Sequence, residues 1–483
     1  MKLFRPAIKI SAFVMLLWGS VMLLPILASL RDWDEAQDYL WSALTCYALA
    51  ALLFRISAGP LQHMQPRALF MITAFNWVLL CLTGTFPFLY SSLEISFTDA
   101  LFETVSGVTT TGASIFADYS EIPRGVLLWR SLMQFIGGIG VIIVAVAILP
   151  SLKVGGMRLF RSESSEWSQL ESGRIGKIAT NIMAVYVLTN FACVLAYRWF
   201  GMNWFDAINH ALTTVSTGGL STYPDSFAHF SSTHLELVAS VFMVLGACPF
   251  LLIVLSVMHR NPLLLFKDTQ VRLLLALILL NTLLVALWRA NASPDANFAD
   301  LLESTLFNII SIMTTTGFAS EDYTLWGSFP LVVFFYLMFA GGCSGSTTGG
   351  VKLFRFQLLG IFMREHIHSA LHPGVSYSRR YNDRPIHEDV LVSALAYFFF
   401  VIITWSICAS LLAATGLDFV TSTTGAVSAL MNVGPGFGDV IGPVDNFGSL
   451  PDAAKYVLAA AMMLGRLEYL ALVIIFTPEF WKW

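Results

Sequence analysis

Charge is scarce in this chain. Across 483 residues, Asp, Glu, Lys and Arg make up 12% against 56% hydrophobic residues, and the mean hydropathy is +0.71. A soluble domain carries about a quarter charged residues, so too little polar surface exists here to coat a particle in water. The chain reads as a polytopic membrane protein, with lipid as the solvent for most of its surface. It also lacks a basic excess: 27 Lys plus Arg stand against 31 Asp plus Glu, a formal net charge of -4, which excludes a nucleic-acid partner. The six cysteines, Cys46, Cys81, Cys193, Cys248, Cys343 and Cys408, show neither CxxC spacing nor histidines at zinc-ligand distances, and read as inert buried residues. No P-loop and no GxGxxG fingerprint supports nucleotide binding within the chain. Paired intramembrane Asp or His residues, which an intramembrane hydrolase needs, are missing as well. The chain reads as no enzyme.

Long apolar runs are abundant. Segments of about 20 apolar residues fall at 9–29, 38–57, 68–90, 125–149, 179–200, 234–258, 272–290, 329–362, 389–414 and 453–477, predicting ten crossings. The first follows a basic N-terminus in the manner of a signal peptide, but its apolar run is of spanning length, and we read it as a retained helix. Basic residues concentrate at both termini and near 55–67, 151–177, 259–272 and 352–384, whereas the opposite connections hold Asp32, Asp34, Glu35, Asp118, Glu121, Asp225, Glu321, Asp322, Asp439 and Asp445. Positive connections stay inside, so both termini are expected in the cytoplasm.

Laying the chain over itself exposes four related segments: FTDALFETVSGVTTTGAS from Phe97, WFDAINHALTTVSTGGLS from Trp204, DLLESTLFNIISIMTTTGFAS from Asp300 and DFVTSTTGAVSALMNVGPGFGD from Asp418. Gly112, Gly219, Gly317 and Gly434 fall in register, on average about 107 residues apart. Each segment lies between two spanning helices on the outer side, so the unit is outer helix, short re-entrant pore helix, turn, inner helix. The expected fold is an all-α polytopic membrane protein with four such tandem repeats in pseudo-four-fold symmetry around one central pore. Residues 1–65 supply two extra N-terminal transmembrane helices, and the repeats occupy 66–155, 156–262, 263–372 and 373–483.

Irregular backbone at membrane depth survives only where it is buried in protein or lines water. Glycine accepts positive φ, and Thr or Ser can hold such a turn locally. Four turns in register can share one lumen in which carbonyl rings replace a cation's hydration shell, with the negative ends of the short helices aimed at the same axis. The expected selectivity filter is Thr109, Thr110, Thr111 and Gly112; Val215, Ser216, Thr217, Gly218 and Gly219; Thr314, Thr315, Thr316 and Gly317; and Asn432, Val433 and Gly434. The ion is expected at Thr110, Thr111, Ser216, Thr217, Thr315, Thr316, Asn432 and Val433. The fourth turn departs from the others through Asn432, Val433 and Pro435, so the symmetry is approximate, and short turns predict loose discrimination among similar ions.

The stretch Gly341, Gly342, Cys343, Ser344, Gly345, Ser346, Thr347, Thr348, Gly349 and Gly350 cannot hold a continuous helix cheaply. We read it as a gating loop across the pore at 341–350 rather than a small-residue helix contact, because small residues cover all its faces. Arg466 lies mid-span, where a charge must face water or a partner. It is either a positive barrier beneath the filter or half of a structural salt bridge to Glu103, Glu303 or Glu468. Glu103 and Glu303 otherwise anchor their short helices by hydrogen bonds, and Asp99 and Asp206 are expected as helix caps. His366, His368 and His372, with Arg364, Arg379, Arg380 and Arg384, read as a solvated basic connection or docking surface rather than a metal site.

The motifs TVSGVTTTG, TVSTGG, SIMTTTG, NVGPG and GGCSGSTTGG, together with the Arg466 helix, resemble the Trk/Ktr/HKT superfamily of potassium transporters over the whole chain, and most of all its bacterial TrkH group. That resemblance implies a single-chain pseudo-tetramer, homodimerisation amid membrane lipids, K+ as the transported ion with no covalent cofactor, a bacterial inner-membrane location and control by a cytosolic TrkA-like nucleotide-binding regulatory subunit. It also implies potassium preference, because sodium-preferring plant members carry Ser where Gly112 stands. A proton- or sodium-coupled potassium symporter is the alternative; it needs an intramembrane acidic relay, for which only Glu103, Glu303 and Glu468 qualify.

Overall fold

The computed structural model describes residues 5–29, 32–59, 66–143, 172–373, 378–382, 384–469, 475 and 477–482. Helices dominate: α1 (Arg5–Val21), α2 (Trp33–Ile56), α3 (Pro66–Thr83), α4 (Phe86–Tyr90), α5 (Phe97–Val108), α6 (Arg124–Ile143), α7 (Ser172–Trp199), α8 (Trp204–Val215), α9 (Thr233–Ala247), α10 (Phe250–Met258), α11 (Leu263–Lys267), α12 (Thr269–Ala292), α13 (Phe298–Met313), α14 (Ser328–Phe339), α15 (Leu353–Leu371), α16 (Glu388–Ala414), α17 (Phe419–Met431), α18 (Asp452–Arg466) and α19 (Pro478–Trp481). One two-residue antiparallel ladder, β1 (Arg380–Tyr381) with β2 (Arg384–Pro385), pairs Arg380 with Pro385 and Tyr381 with Arg384.

Among the described residues seven helices are long and apolar enough to cross a membrane, and an eighth crossing follows if α9 and α10, bent by 100°, count as one. The two remaining expected spans, 329–362 and 453–477, are met by shorter helices, α14 with α15 and α18, rather than by continuous long ones. In 234–258 the break falls at Cys248 and Pro249, whose ring removes a donor and clashes with the preceding turn. In 329–362 the helix stops at Phe339 and resumes at Leu353. In 453–477 it stops at Arg466, and Glu468 and Tyr469 follow in the left-handed conformation, with φ of 54° and 53°. Residues 144–149 and 470–474 of the expected spans, and the expected repeat boundary at 155/156, lie outside the described residues.

The packing order positions the site. Each short helix packs between the long helix before it and the helix after it: α5 between α3 and α6, α8 between α7 and α9, α13 between α12 and α14, and α17 between α16 and α18. Each also leans on the helix that ends the preceding unit: α8 on α6, α13 on α9, α17 on α14 and α5 on α18. The last contact joins the end of the chain to its beginning and closes the order into a ring. Helices α1 and α2 pack on each other and outside this ring, where Trp18 meets Trp129 of α6 at 4.9 Å between ring centroids.

The short helices start with caps, but at different residues from those expected. Ser96 Oγ accepts from the Asp99 N–H and Asn203 Oδ1 from the Asp206 N–H, while Asp99 and Asp206 sit one turn in and bond back to the caps. The return bond runs side chain to side chain rather than to the cap's backbone N–H as in a capping box, and it leaves each acid facing the positive helix end. Asn297 and Asp418 cap α13 and α17. Hydrogen bonds from Thr421 hold the Asp418 carboxyl below the usual carboxylate range.

Candidate ion pathway

All four short helices end in the same backbone motif. Thr110, Thr217, Thr315 and Asn432 are left-handed, with φ of 53°, 52°, 54° and 55°. The next N–H in each case reaches back over the bend: Thr111 to Ser106 O and Gly218 to Thr213 O at 2.8 Å, Thr316 to Ser311 O at 2.8 Å, and Val433 to Ser428 O at 3.0 Å. This is a Schellman-type helix end in which Thr or Asn stands where glycine is usual, and each such residue stores about 1–2 kcal/mol of strain. A glycine with positive φ follows two residues later, at Gly112, Gly219, Gly317 and Gly434 (87°, 76°, 85° and 109°).

The glycines interlock the turns. A Cβ on Gly112 would strike the Gly218 carbonyl, one on Gly219 the Thr316 carbonyl, one on Gly317 the Val433 carbonyl, and one on Gly434 the Thr111 carbonyl. The contacts run from first turn to second, third, fourth and back to first, so the turns form a closed ring. The left-handed residues fix the register: Thr110, Thr217, Thr315 and Asn432 are equivalent, as are Thr111, Gly218, Thr316 and Val433. In the second turn the residues matching Thr110 and Thr111 are thus Thr217 and Gly218, one step later than the expected Ser216 and Thr217. The sequence hid this because Ser216-Thr217 imitates the Thr-Thr pairs next to it.

Side chains brace the ring in two ways. In the first and third turns the outer threonines bond each other, Thr109 to Thr111 and Thr314 to Thr316, both at 2.8 Å. Gly218 has no hydroxyl, and there Gln134 of α6 spans the turn, donating to Gly218 O at 2.7 Å and accepting from Leu220 N at 3.2 Å. In the fourth turn Asn432 Nδ2 donates to Thr111 Oγ1 at 3.0 Å and to Met462 O at 2.9 Å. Among the described residues no donor reaches the carbonyl oxygens of Thr110, Thr111, Thr217, Thr315, Thr316, Asn432 or Val433, although these residues are at most 1% exposed. Buried carbonyls with neither donor nor water are costly unless something else meets them.

Directly against this ring lies the glycine-rich break, residues 340–352. Gly349 N donates to Thr315 Oγ1 at 2.7 Å, Gly350 N to Met431 O at 2.8 Å, and Thr347 Oγ1 to Val215 O at 3.0 Å. The loop thus touches the second, third and fourth units at the base of their turns. Gln270 of α12 accepts from Ser344 N at 2.9 Å, and Lys352 Nζ bonds the Thr348 carbonyl and, at 3.1 Å, its hydroxyl.

Arg466 forms none of the expected salt bridges. No carboxylate pairs with it among the described residues; its guanidinium donates to Thr347 O at 2.9 Å and to Gly137 O of the first unit at 3.4 Å. The expected partners are elsewhere. Glu103 is fully buried against Arg130 at 2.5 Å and accepts from Ile115 N at 3.0 Å, tying α5 to the strand leaving its turn. Glu468 pairs with Arg355 at 2.5 Å, and Glu303 keeps one buried oxygen without a partner. The expected anchoring role therefore fits Glu103 and leaves Glu303 open. Among the described residues no cluster of His, Cys, Asp or Glu could hold a metal, and His366 packs at a tilt against Phe362, with 4.3 Å between ring centroids. All six cysteines are free and buried.

Sequence reasoning missed Arg130, Gln134, Gln270, Lys352 and Arg355. Their signal was present: each is a polar or charged residue within or beside an apolar run, where such a residue is by default a functional hypothesis.

The matches to known proteins follow the geometry. The family model for TrkH, described as cation transport protein, matches residues 40–482. The Trk system potassium uptake protein TrkI of Halomonas elongata is 39% identical over 99% of this chain and 97% of its own length. The Trk system potassium uptake protein TrkH of Escherichia coli is 32% identical over 99% of each. The crystal structure of the potassium transporter TrkH from Vibrio parahaemolyticus superposes with a TM-score of 0.92 at 31% identity, covering 99% of this chain and 100% of that one. With a family model spanning most of its length and full-length relatives above 30% identity, this multi-pass, non-enzymatic membrane chain belongs to the TrkH family of cation transport proteins.

Proposed function

We propose that the chain takes up K+ across the bacterial inner membrane by conducting it through the ring of four turns. The carrying observation is the closed ring of turns in which the buried carbonyls of Thr110, Thr111, Thr217, Thr315, Thr316, Asn432 and Val433 have no donor among the described residues. A dehydrated monovalent cation is the partner such oxygens need, and a carbonyl ring supplies what its water shell supplied. Thr110 and Thr111, Thr217, Thr315 and Thr316, and Asn432 and Val433 offer those oxygens, with the negative ends of α5, α8, α13 and α17 behind them, while Gly218 O is already held by Gln134. The glycines Gly112, Gly219, Gly317 and Gly434 close the ring. The first unit runs through 66–155, the second through 156–262, the third through 263–372 and the fourth through 373–483, with 1–65 outside.

Residues 341–350 are the gate, and Arg466 is both its latch and a positive charge beneath the filter. Because the guanidinium bonds Thr347 O and Gly137 O, it fastens the loop across the lumen from the fourth unit to the first. Control falls to a cytosolic TrkA-like nucleotide-binding subunit acting on a homodimer in the lipid bilayer, both termini being cytoplasmic. This agrees with relatives named as parts of a Trk system. Against coupled symport stands the engagement of Glu103 by Arg130 and of Glu468 by Arg355; of the three expected relay acids, Glu303 alone keeps an unpartnered oxygen.

The test is tracer rubidium and sodium flux into liposomes holding the purified chain, with and without a proton gradient. Rubidium entry without a gradient and in preference to sodium supports the reading. Absence of rubidium entry in every condition overturns it, and strict gradient dependence abolished by Glu303→Gln moves the assignment to the symporter.

A further inference from the structure

Beside the gate, on the outer surface of the third unit, a cavity of about 780 Å³ opens between α12, α14, α15 and the β1–β2 hairpin. Its volume is in the range of ligand sites. Along its length the wall changes character. Leu277, Val333 and Phe356 make the upper part apolar, while Arg364, Arg380 and Asn382 gather at the end where α15 leaves the membrane region. The hairpin is held at that end: Thr269 Oγ1 donates to Asn382 Oδ1 at 2.7 Å, and Arg379 grips Glu365 of α15 at 2.6 Å. By contrast Arg364 and Arg380 are exposed and, among the described residues, pair with no carboxylate. The two arginines belong to the connection that the charge bias assigns to the cytoplasm.

Gly360 is the second observation. It lies inside α15, where glycine costs about 1 kcal/mol relative to alanine, yet a Cβ there would meet nothing within 4 Å. No protein contact asks for glycine at this position. What its bare backbone does is keep the cavity open midway between Phe356 and Arg364, which share its helix face at steps of four.

We infer that this cavity binds an anionic phospholipid of the cytoplasmic leaflet, its phosphate on Arg364 and Arg380 and an acyl chain running past Gly360 toward Val333. The charge at one end and the hydrocarbon wall at the other match that molecule and orient it. Ala340 and Leu353, which flank the glycine-rich break, also line the cavity, so a seated acyl chain packs on both ends of the loop and holds its closed form. This last step rests on the gating reading of residues 341–350; the binding itself does not.

Native mass spectrometry of the full chain in detergent, titrated with phosphatidylglycerol or phosphatidylcholine, tests the binding. One phosphatidylglycerol is expected to be retained in preference to phosphatidylcholine. Its affinity should fall about fivefold on Arg364→Gln or Arg380→Gln and roughly 25-fold with both, since each basic side chain near anionic lipid contributes about one factor of five. Gly360→Leu, whose Cβ has open space around it and whose side chain narrows the cavity, should sharply reduce retention while preserving the fold. Equal retention of both lipids, or phosphatidylglycerol binding unmoved by all three variants, overturns the inference. So does a shift in the monomer–dimer ratio with unchanged lipid retention, which would make a second copy the occupant. Rubidium flux in phosphatidylglycerol against phosphatidylcholine liposomes then reads the gate: wild type should be slower in the anionic lipid and Gly360→Leu indifferent to it. Failure of all rubidium flux would remove the transport reading and leave the binding result standing.

Discussion

The ring of turns and the loop beneath it are both irregular backbone rich in glycine and hydroxyls, yet they are held in opposite ways. Each turn is closed by its own helix, through the same reach-back hydrogen bond repeated four times, and is interlocked with its neighbour through a glycine. The loop occurs once and is held from outside: its N–H groups donate to Ala247 O, Gly246 O and Met431 O, and Arg466 from α18, Gln270 from α12 and Thr315 from the third turn add side-chain bonds. Redundant local closure makes a rigid frame. Contacts borrowed from several other elements make a segment whose hold depends on how those elements are arranged, the property expected of a two-state element.

The sharpest way to break this comparison is to disturb the ring. Gly219→Ala forces a side chain into a φ of 76° and against the Thr316 carbonyl, adding at least about 1–2 kcal/mol of strain where the turns already touch. Rubidium uptake into liposomes should fall by about two orders of magnitude, with the helical circular dichroism signal intact. Uptake near the wild-type level would mean that the ring contacts are not part of the pathway.

Loop variants should move flux the other way. Deleting Gly345 to Thr348 removes the segment that Arg466 holds, and should leave the chain leaky without any regulator. Arg466→Ala removes bonds from a charged donor, each worth about 1.5–3 kcal/mol, so basal flux should rise by roughly tenfold or more. Lys352→Met should act in the same direction by several-fold only, because Lys352 ties the loop to itself, through Thr348, rather than to the frame. Flux unchanged in the Arg466 and deletion variants alike would remove the loop from gating. A larger rise for Lys352→Met than for Arg466→Ala would instead place the latch inside the loop.

Much of this frame was legible in one sequence because its physics is local and repeated. Apolar length gives the long helices, and Thr, Ser and Gly at a recurring offset give the turns. What stayed hidden is long-range or unrepeated. Arg130 and Glu103 lie 27 residues apart, and nothing in either neighbourhood names the other. Gln134 supports a glycine 84 residues away. Asp99 and Asp206 drew attention as caps because acids favour helix starts, but Ser96 and Asn203, three residues earlier, have the short polar side chains that reach the backbone N–H. Apolar length alone does not show where a helix breaks without losing hydrophobicity, as at Pro249.

The smallest expected effect is the most informative about symmetry. Asn432 takes the left-handed position that threonine fills in the other three turns, so Asn432→Thr makes the ring more regular in sequence. Yet it removes two buried hydrogen bonds, to Thr111 Oγ1 and Met462 O, and puts a β-branched residue where asparagine is the better tolerated of the two. These losses destabilise by about 1–3 kcal/mol, while the backbone carbonyl that would meet the ion keeps its place. The variant should therefore lower the unfolding temperature and change rubidium uptake by less than about tenfold, since main-chain oxygens rather than side chains contact the ion in such a ring. A loss as complete as that of Gly219→Ala would mean that the Asn432 amide, bridging the fourth turn to the first, is itself what keeps the ring shut, and that the glycine contacts alone do not close it.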